Sequence, residues 1–176
     1  MSTVSGPRCN TTAEDRLPFR EPVRRTRKGD FEIRLSQPEL QLLGSLVPQL
    51  RAALEADSGA GGAKDPTLRR LFPTAYPDDE GRDLEYRSMV HDDLLARRHA
   101  ALDTMESTLA ATRLDEEALL AWMGAVNDLR LVLGTRLDVS EESDLVPDPD
   151  DPDAPALAVY GYLGFLLESM IAALSD

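Results

Sequence analysis

The sequence predicts a mainly α protein: a bundle of four or five helices, preceded by an N-terminal β-hairpin. Three observations support this fold class. Apolar residues recur every three or four positions through most of the chain, which is the period of a helix. Ser or Asp residues suited to capping a helix stand before several of these stretches. Near the N-terminus, a short stretch instead alternates apolar and charged residues, as a half-buried strand does.

The chain has 176 residues, enough for one domain with a tail. Residues 1–17 are small and polar without periodicity, which predicts a disordered tail. Residues 18–176 are predicted to form a single helical domain, with the hairpin at 18–36 and an acidic loop at 138–155. That loop contains eight acidic residues and no basic one, a composition typical of a solvated linker.

The hairpin is the first predicted element of the domain. Phe31, Ile33 and Leu35 alternate with charged residues, which predicts its second strand. Gly29 tolerates a positive φ angle, so the turn is expected around it. Pro22 cannot donate a ladder hydrogen bond, which predicts that the first strand lies at a sheet edge.

The first helix begins after Ser36, which forms a predicted capping box with Glu39. Its apolar stripe keeps its phase through Pro48, so we expect a kink there rather than a break. After a glycine-rich loop at 57–64, Asp65 is suited to cap a short helix that starts at Pro66.

Three further helices complete the predicted bundle. The longest runs from about residue 79 to 111, with a break expected near the basic cluster at 97–99. Its core face is predicted to hold Tyr86, Val90, Leu94, Ala101, Met105 and Leu109. Asp115 caps the next helix, which Gly134 is expected to end or bend. The last helix, at about 155–174, is apolar on nearly every side, which predicts that it is the central helix.

The charge balance disfavours several classes of partner. With 19 basic and 32 acidic residues, the net charge is −13, which repels duplex DNA and anionic membranes. The longest apolar run, at 156–167, is too short to span a bilayer, and the N-terminus lacks the apolar core of a signal peptide. We therefore expect a cytoplasmic protein without membrane contact.

No pattern in the sequence indicates catalysis. His91 and His99 are eight residues apart and lie on distinct faces of one predicted helix, so they do not form a metal-ligand pair by themselves. No Gly-x-Ser-x-Gly elbow is present. The sequence therefore predicts no catalytic residue, no cofactor-binding residue, no cofactor and no metal ligand: a protein that is not an enzyme.

The basic hairpin supplies the first candidate interaction residues: Arg24, Arg25, Arg27 and Lys28. The segment 1–35 has eight basic and five acidic residues, in contrast to the acidic remainder. Together with Phe19 and Phe31, these residues suit a ribbon that binds nucleic acid or an acidic partner. They equally suit an edge hairpin that docks on its own acidic bundle, and we favour this second interpretation because the rest of the chain repels phosphate.

Four segments resemble a known family. They are FEIRLS (31–36), DPTLRRLFPTAYPDD (65–79), NDLRLVLGTRLDV (127–139) and VYGYLGFLLESMIAAL (159–174). The family is actinobacterial, is encoded beside the ClpS protease adaptor, and includes oxidative-stress regulators of the AosR type. The resemblance implies a non-enzymatic regulator acting through protein contacts, in transcriptional control of the oxidative-stress response, with a sigma factor or RNA polymerase as partner. It also marks Arg130 and Arg136 as candidate interaction residues. The alternative is a purely structural role, in which Arg130 caps or braces the last turn of its own helix and Arg136 pairs with the acidic loop.

Two alternatives stay open. The gene arrangement that the resemblance implies suggests a partner or accessory factor of the ClpS/Clp proteolysis system. The other alternative is a cryptic metal-dependent enzyme using His91 and His99. Cys9 is the single cysteine, so the chain cannot form an internal disulfide as a redox sensor. The oligomeric state is left open.

Overall fold

The computed structural model describes residues 21–57, 65–140 and 151–176. In these ranges the chain forms a helical bundle with a small antiparallel sheet, which confirms the predicted fold class. The strands are β1 (Val23–Arg25), β2 (Phe31–Ile33) and β3 (Arg113–Leu114). The helices are α1 (Gln37–Asp57), α2 (Glu80–Thr108), α3 (Glu116–Arg136) and α4 (Ala154–Ser175), with a 3-10 turn at Pro66–Leu68. The predicted tail at 1–17, most of the glycine-rich loop and much of the acidic loop lie outside the described residues.

The sheet contains the predicted hairpin and one additional strand. Strands β1 and β2 pair antiparallel with Val23 opposite Ile33, and Gly29 adopts a φ angle of 88° in the turn between them. Strand β3 pairs with the other side of β2, with Leu114 opposite Phe31. The sequence analysis missed β3 because two residues are too few to show an alternating pattern.

The outer edge of β1 is closed by helix α4. The Val23 N–H donates a hydrogen bond to the Ser169 hydroxyl oxygen at 3.2 Å, and the same hydroxyl donates back to the Val23 carbonyl at 3.5 Å. A strand edge with unpaired backbone groups invites pairing with another chain. The Ser169 hydroxyl occupies both backbone groups of Val23 and so protects this position of the edge.

The predicted helix starts are confirmed by their hydrogen bonds. The Ser36 N–H donates to the Glu39 carboxylate at 2.6 Å, and the Asp115 carboxylate accepts from the Ala118 N–H at 2.8 Å. Helix α1 runs continuously through Pro48. Helix α2 is also continuous through residues 97–99, so the expected break there is wrong. The short helix predicted after Asp65 is only a 3-10 turn.

Helix α3, and not α4, is the central helix of the bundle. It packs against α1, α2, α4, β3 and the 3-10 turn, whereas α4 packs mainly against α3 and β1. The prediction for α4 was wrong because its outer side has no neighbour among the described elements: Phe165 is 43% exposed and Ile171 47% exposed. By length and composition alone, α4 qualifies as a membrane span, the single such helix in the described ranges. Here its other side packs into the core through Leu163, Leu166 and Met170.

Candidate functional site

Two of the segments that carry the family resemblance interlock at the contact between α3 and α4. The Arg130 guanidinium of α3 lies over the Tyr160 ring of α4, 4.7 Å from its centroid. Tyr160 also packs against Gly134, where a β-carbon would come within 2.8 Å of the ring. The ring leaves no room for a side chain at this position, which explains the glycine. Gly134 lies inside α3, which ends two residues later.

Residues 65–79, a third segment that carries the family resemblance, are joined to α3 by the Arg98 side chain of α2. The Arg98 guanidinium donates to the Asp128 carboxylate of α3 and, at 2.7 Å, to the carbonyl of Leu71. It also lies over the Phe72 ring, 5.3 Å from the centroid. Arg98 thus joins α2, α3 and the segment 65–79. Arg70 of the same segment donates a further hydrogen bond, at 2.7 Å, to the carbonyl of Val139, which follows α3.

Asp128 is one of two buried acidic residues in the described part of the chain. Burial raises the pKa of its carboxyl, while the hydrogen bond and the charge of Arg98 oppose that rise without cancelling it. Arg98 therefore offsets part of the cost of burying this carboxyl group. Loss of the guanidinium would leave a buried carboxylate without compensation.

Asp83, the other buried acidic residue, holds the same segment against the first half of α2, which we define as residues 80–94. Its carboxylate accepts hydrogen bonds from the Ala75 N–H at 2.8 Å and the Tyr76 N–H at 3.2 Å. The Tyr76 ring meets Tyr86 edge-on at 6.0 Å and stacks under the Arg82 guanidinium at 4.6 Å. The segment is thus held at its middle by Arg98, through the Leu71 carbonyl, and nearer its end by Asp83, through Ala75 and Tyr76.

Between the segment and α2 lies an open cavity of about 290 Å³, which we call the aromatic cleft. The His91 ring packs against Phe72 at one wall, with 4.7 Å between ring centroids. The cleft is mainly apolar, with a few polar groups at its edge, a composition typical of binding sites. Its lining residues are Asp65, Pro66, Leu68, Arg69, Phe72, Pro73, Thr74, Ala75, Tyr86, Val90, His91 and Leu94.

The cleft explains why the predicted core face of α2 is only half correct. Met105 in the second half of the helix is buried, but Tyr86, Val90 and Leu94 line the open cleft instead of packing in the core. Beside the cleft, Leu84 is 68% exposed and Met89 65% exposed. The first half of α2 therefore presents apolar side chains to solvent on more than one side.

A family described as "Domain of unknown function (DUF2017)" matches residues 18–174. The chain belongs to this family. The "Oxidative stress regulator AosR" of Mycobacterium tuberculosis (strain ATCC 25618 / H37Rv) is 32% identical over 214 aligned positions, which cover 99% of this chain and 98% of the relative. The protein of the same name from Mycobacterium bovis matches equally well. No solved structure matches the chain. The resemblance inferred from the four segments is thus confirmed.

The hairpin candidates lie apart from the residues just described. Arg24, Arg27 and Lys28 are exposed, while Arg25 lies over the Phe31 ring at 5.7 Å. Arg24 also lines a small groove between β1 and α4. Arg130 and Arg136, the candidates that the family resemblance marked, lie on α3 instead.

Those two candidates have different environments. Arg130 braces α4 through Tyr160 rather than the last turn of its own helix, which corrects the expectation. Arg136 is exposed at the end of α3 and lines a second cavity. The residues of the acidic loop at 141–150, its expected partners, lie outside the described residues. The structure does not bring Arg130 and Arg136 into one site.

The histidines do not meet a ligand set in the described ranges 21–57, 65–140 and 151–176. No group of three His, Cys, Asp or Glu side chains there is placed to hold a metal ion. His91 is instead one wall of the aromatic cleft. That the protein binds no metal and is not an enzyme stays a prediction from the sequence.

Proposed function

We propose that this protein is a regulator in the oxidative-stress response that acts by binding another protein, and that the aromatic cleft is its contact site. The first support is the family: full-length relatives are named oxidative stress regulators. A regulator without enzymatic activity must act through a partner, and the transcription machinery is the candidate that we favour.

The single observation that carries the contact site is the exposed apolar surface around the first half of α2. Large apolar side chains that remain open to solvent in a folded protein commonly mark an interface. Here Leu84 and Met89 are exposed on the same half of α2 that supplies Tyr86 to the cleft, although neither of them lines it. Interfaces obtain most of their binding energy from a few anchors buried in such pockets.

The segment 65–79 is well suited to form a rigid wall of this site. Arg98 and Asp83 hold its middle and its later part through hydrogen bonds that are partly buried. A preformed site loses less conformational entropy on binding than a flexible one. The cleft is therefore expected to accept an apolar anchor of the partner without rearrangement.

The test is direct binding between purified proteins. The full chain is immobilised and exposed to core RNA polymerase, to individual sigma factors of its host and to ClpS. We expect binding to one component of the transcription machinery. A Val90→Glu variant, which places a charge in the cleft, should weaken that binding at least about tenfold, as expected for an interface anchor.

The matched control is Leu120→Glu, because Leu120 is a half-exposed residue on α3 outside the cleft. This variant should bind as the unmodified protein does. Equal weakening by both variants, or binding unaffected by Val90→Glu, would remove the cleft from the proposal. Binding to ClpS alone would favour the proteolysis alternative, and no binding to any of these proteins would contradict the proposed transcriptional role.

A further inference from the structure

A second cavity, distinct from the aromatic cleft, opens between α1, α3 and the 3-10 turn. Its volume is about 340 Å³, which is within the range of small-molecule sites in proteins. Leu50, Leu129 and Leu163 form its inner surface, and all three are buried core residues. The cavity therefore extends to the hydrophobic core instead of being a shallow surface depression. We call it the α1–α3 cavity.

The remaining walls combine apolar side chains with the polar Gln49 and Thr67. Ala53 of α1 and Val132 of α3 are partly buried and pack against the core at this position. A ligand entering here would remove apolar surface from water on both sides, which favours an alkyl chain or a ring over a polar molecule.

The opening has one cation suited to a ligand. Arg136 lines the cavity, is exposed, and forms no hydrogen bond or ion pair with another described residue. Asp65 lies on the same rim, but its Oδ1 already accepts hydrogen bonds from the Thr67 N–H at 2.8 Å and the Thr67 hydroxyl at 2.7 Å. The carboxylate of Asp65 is thus engaged in capping the 3-10 turn, whereas no described residue binds the exposed Arg136 side chain.

We propose that the α1–α3 cavity binds a small amphipathic carboxylate, with its apolar tail against Leu50, Leu129 and Leu163 and its carboxylate on Arg136. A guanidinium pairs with a carboxylate through two parallel charge-assisted hydrogen bonds. A cationic amphiphile would meet Arg136 with like charge, and a neutral one would lose this pairing. The proposal is independent of any protein partner of the aromatic cleft.

The experiment uses the full ¹⁵N-labelled chain and octanoate as the probe, with 1-octanol as the uncharged comparison. Octanoate should cause saturable shifts of amide signals that are largest around Ala53 and Val132. It should bind more tightly than 1-octanol by up to about fivefold, the range expected for a solvent-exposed ion pair. Shifts that do not saturate, or that are centred elsewhere in the chain, would overturn the proposal.

Two variants test the contributions of the Arg136 charge and of the apolar walls separately. Arg136→Gln should lower octanoate affinity to that of 1-octanol and leave 1-octanol binding unchanged. The matched control, Arg97→Gln, removes an exposed arginine of α2 and should change neither affinity. Ala53→Phe fills the opening and should reduce binding of both probes at least about tenfold.

If Ala53→Phe does not fold, a second measurement replaces it. Nuclear Overhauser contacts between the octanoate methyl group and Leu163 of the unmodified protein are expected. Their absence in a saturated sample would place the alkyl chain outside the cavity. An Arg136→Gln variant that binds octanoate as tightly as the unmodified protein would likewise contradict the proposed role of the guanidinium.

Discussion

Helix α3 and the first half of α2 both carry large apolar side chains, yet most of those in α3 are enclosed and those in α2 are open to solvent. In α3, Leu119, Trp122 and Val126 are completely buried, because neighbouring elements cover the helix on several sides. In α2, Leu84 and Met89 are mostly exposed, although the segment 65–79 packs against Asp83 and Tyr86 of the same half. The comparison shows that an apolar side chain becomes core only where another element reaches it. The exposed ones remain available for a partner.

The strongest test of this contrast uses two methionines of the same helix. Met105 is fully buried and Met89 is mostly exposed. Met105→Ala should lower the free energy of unfolding by about 2–5 kcal/mol, since it leaves a cavity in the core. Met89→Ala should change it by less than about 0.5 kcal/mol. Chemical denaturation of both variants measures the difference, and similar losses would mean that the two halves of α2 are equally packed.

The second test concerns the ion pair between Arg98 of α2 and Asp128 of α3. Asp128→Ala removes the partner of Arg98 and leaves a largely buried guanidinium without its carboxylate. We expect a loss of about 2–3 kcal/mol in the free energy of unfolding, because an unpaired charge in a partly buried position is costly. Arg113→Ala, which removes the exposed ion pair with Asp30, is the control and should cost no more than about 1 kcal/mol. Equal losses of unfolding free energy in the two variants would show that the buried Arg98–Asp128 ion pair stabilises the protein no more than an exposed one.

A third test compares two helical glycines. Gly134→Ala would place a β-carbon 2.8 Å from the Tyr160 ring, so overpacking should destabilise the protein by about 1–3 kcal/mol. Gly161→Ala meets no atom within 4 Å and should stabilise α4 by up to about 1 kcal/mol through helix propensity. Thermal unfolding gives the sign of each change. Stabilisation by Gly134→Ala would mean that the contact between α3 and α4 is looser than described.

The smallest expected effect is a difference in pH dependence between the interior and the surface. Burial raises the pKa of Asp128 above its usual 3.8 despite Arg98, so its contribution to stability increases as pH falls through the raised pKa toward 3.8. Burial also acts to raise the pKa of Glu39, but hydrogen bonds from Ser36 outweigh it and the pKa is lowered from 4.5. Its stabilising contribution is therefore present above pH 4.5 and lost as pH falls through the lowered pKa.

Denaturation between neutral pH and about pH 3 tests this opposition. The difference in unfolding free energy between the unmodified protein and Asp128→Asn should increase as the solution is acidified. The corresponding difference for Glu39→Gln should decrease as the carboxylate is protonated. Slopes of the same sign for the two variants would contradict one of these pKa directions.

Local features of the chain were largely predictable. Caps at Ser36 and Asp115 and the turn at Gly29 depend on neighbouring residues alone, so the sequence indicated them correctly. The aromatic cleft was not predictable, although the segment 65–79 was recognised as a motif. Its walls come from two elements whose relative position is set by Arg98 and Asp83, and no local pattern specifies that position. A charged residue inside an apolar helix, as Asp128 is in α3, is a signal that could have indicated a buried ion pair.

By itself, the sequence determined the helices, the hairpin and the family, because periodicity, capping and segment order are properties of the chain. Only the tertiary structure decided which apolar faces are covered. It made α3 central instead of α4, turned Tyr86 and Val90 from expected core residues into walls of a cleft, and placed Arg136 at a cavity. The physical reason is that burial depends on which elements meet in space, and the same apolar stripe suits either a core or a binding surface.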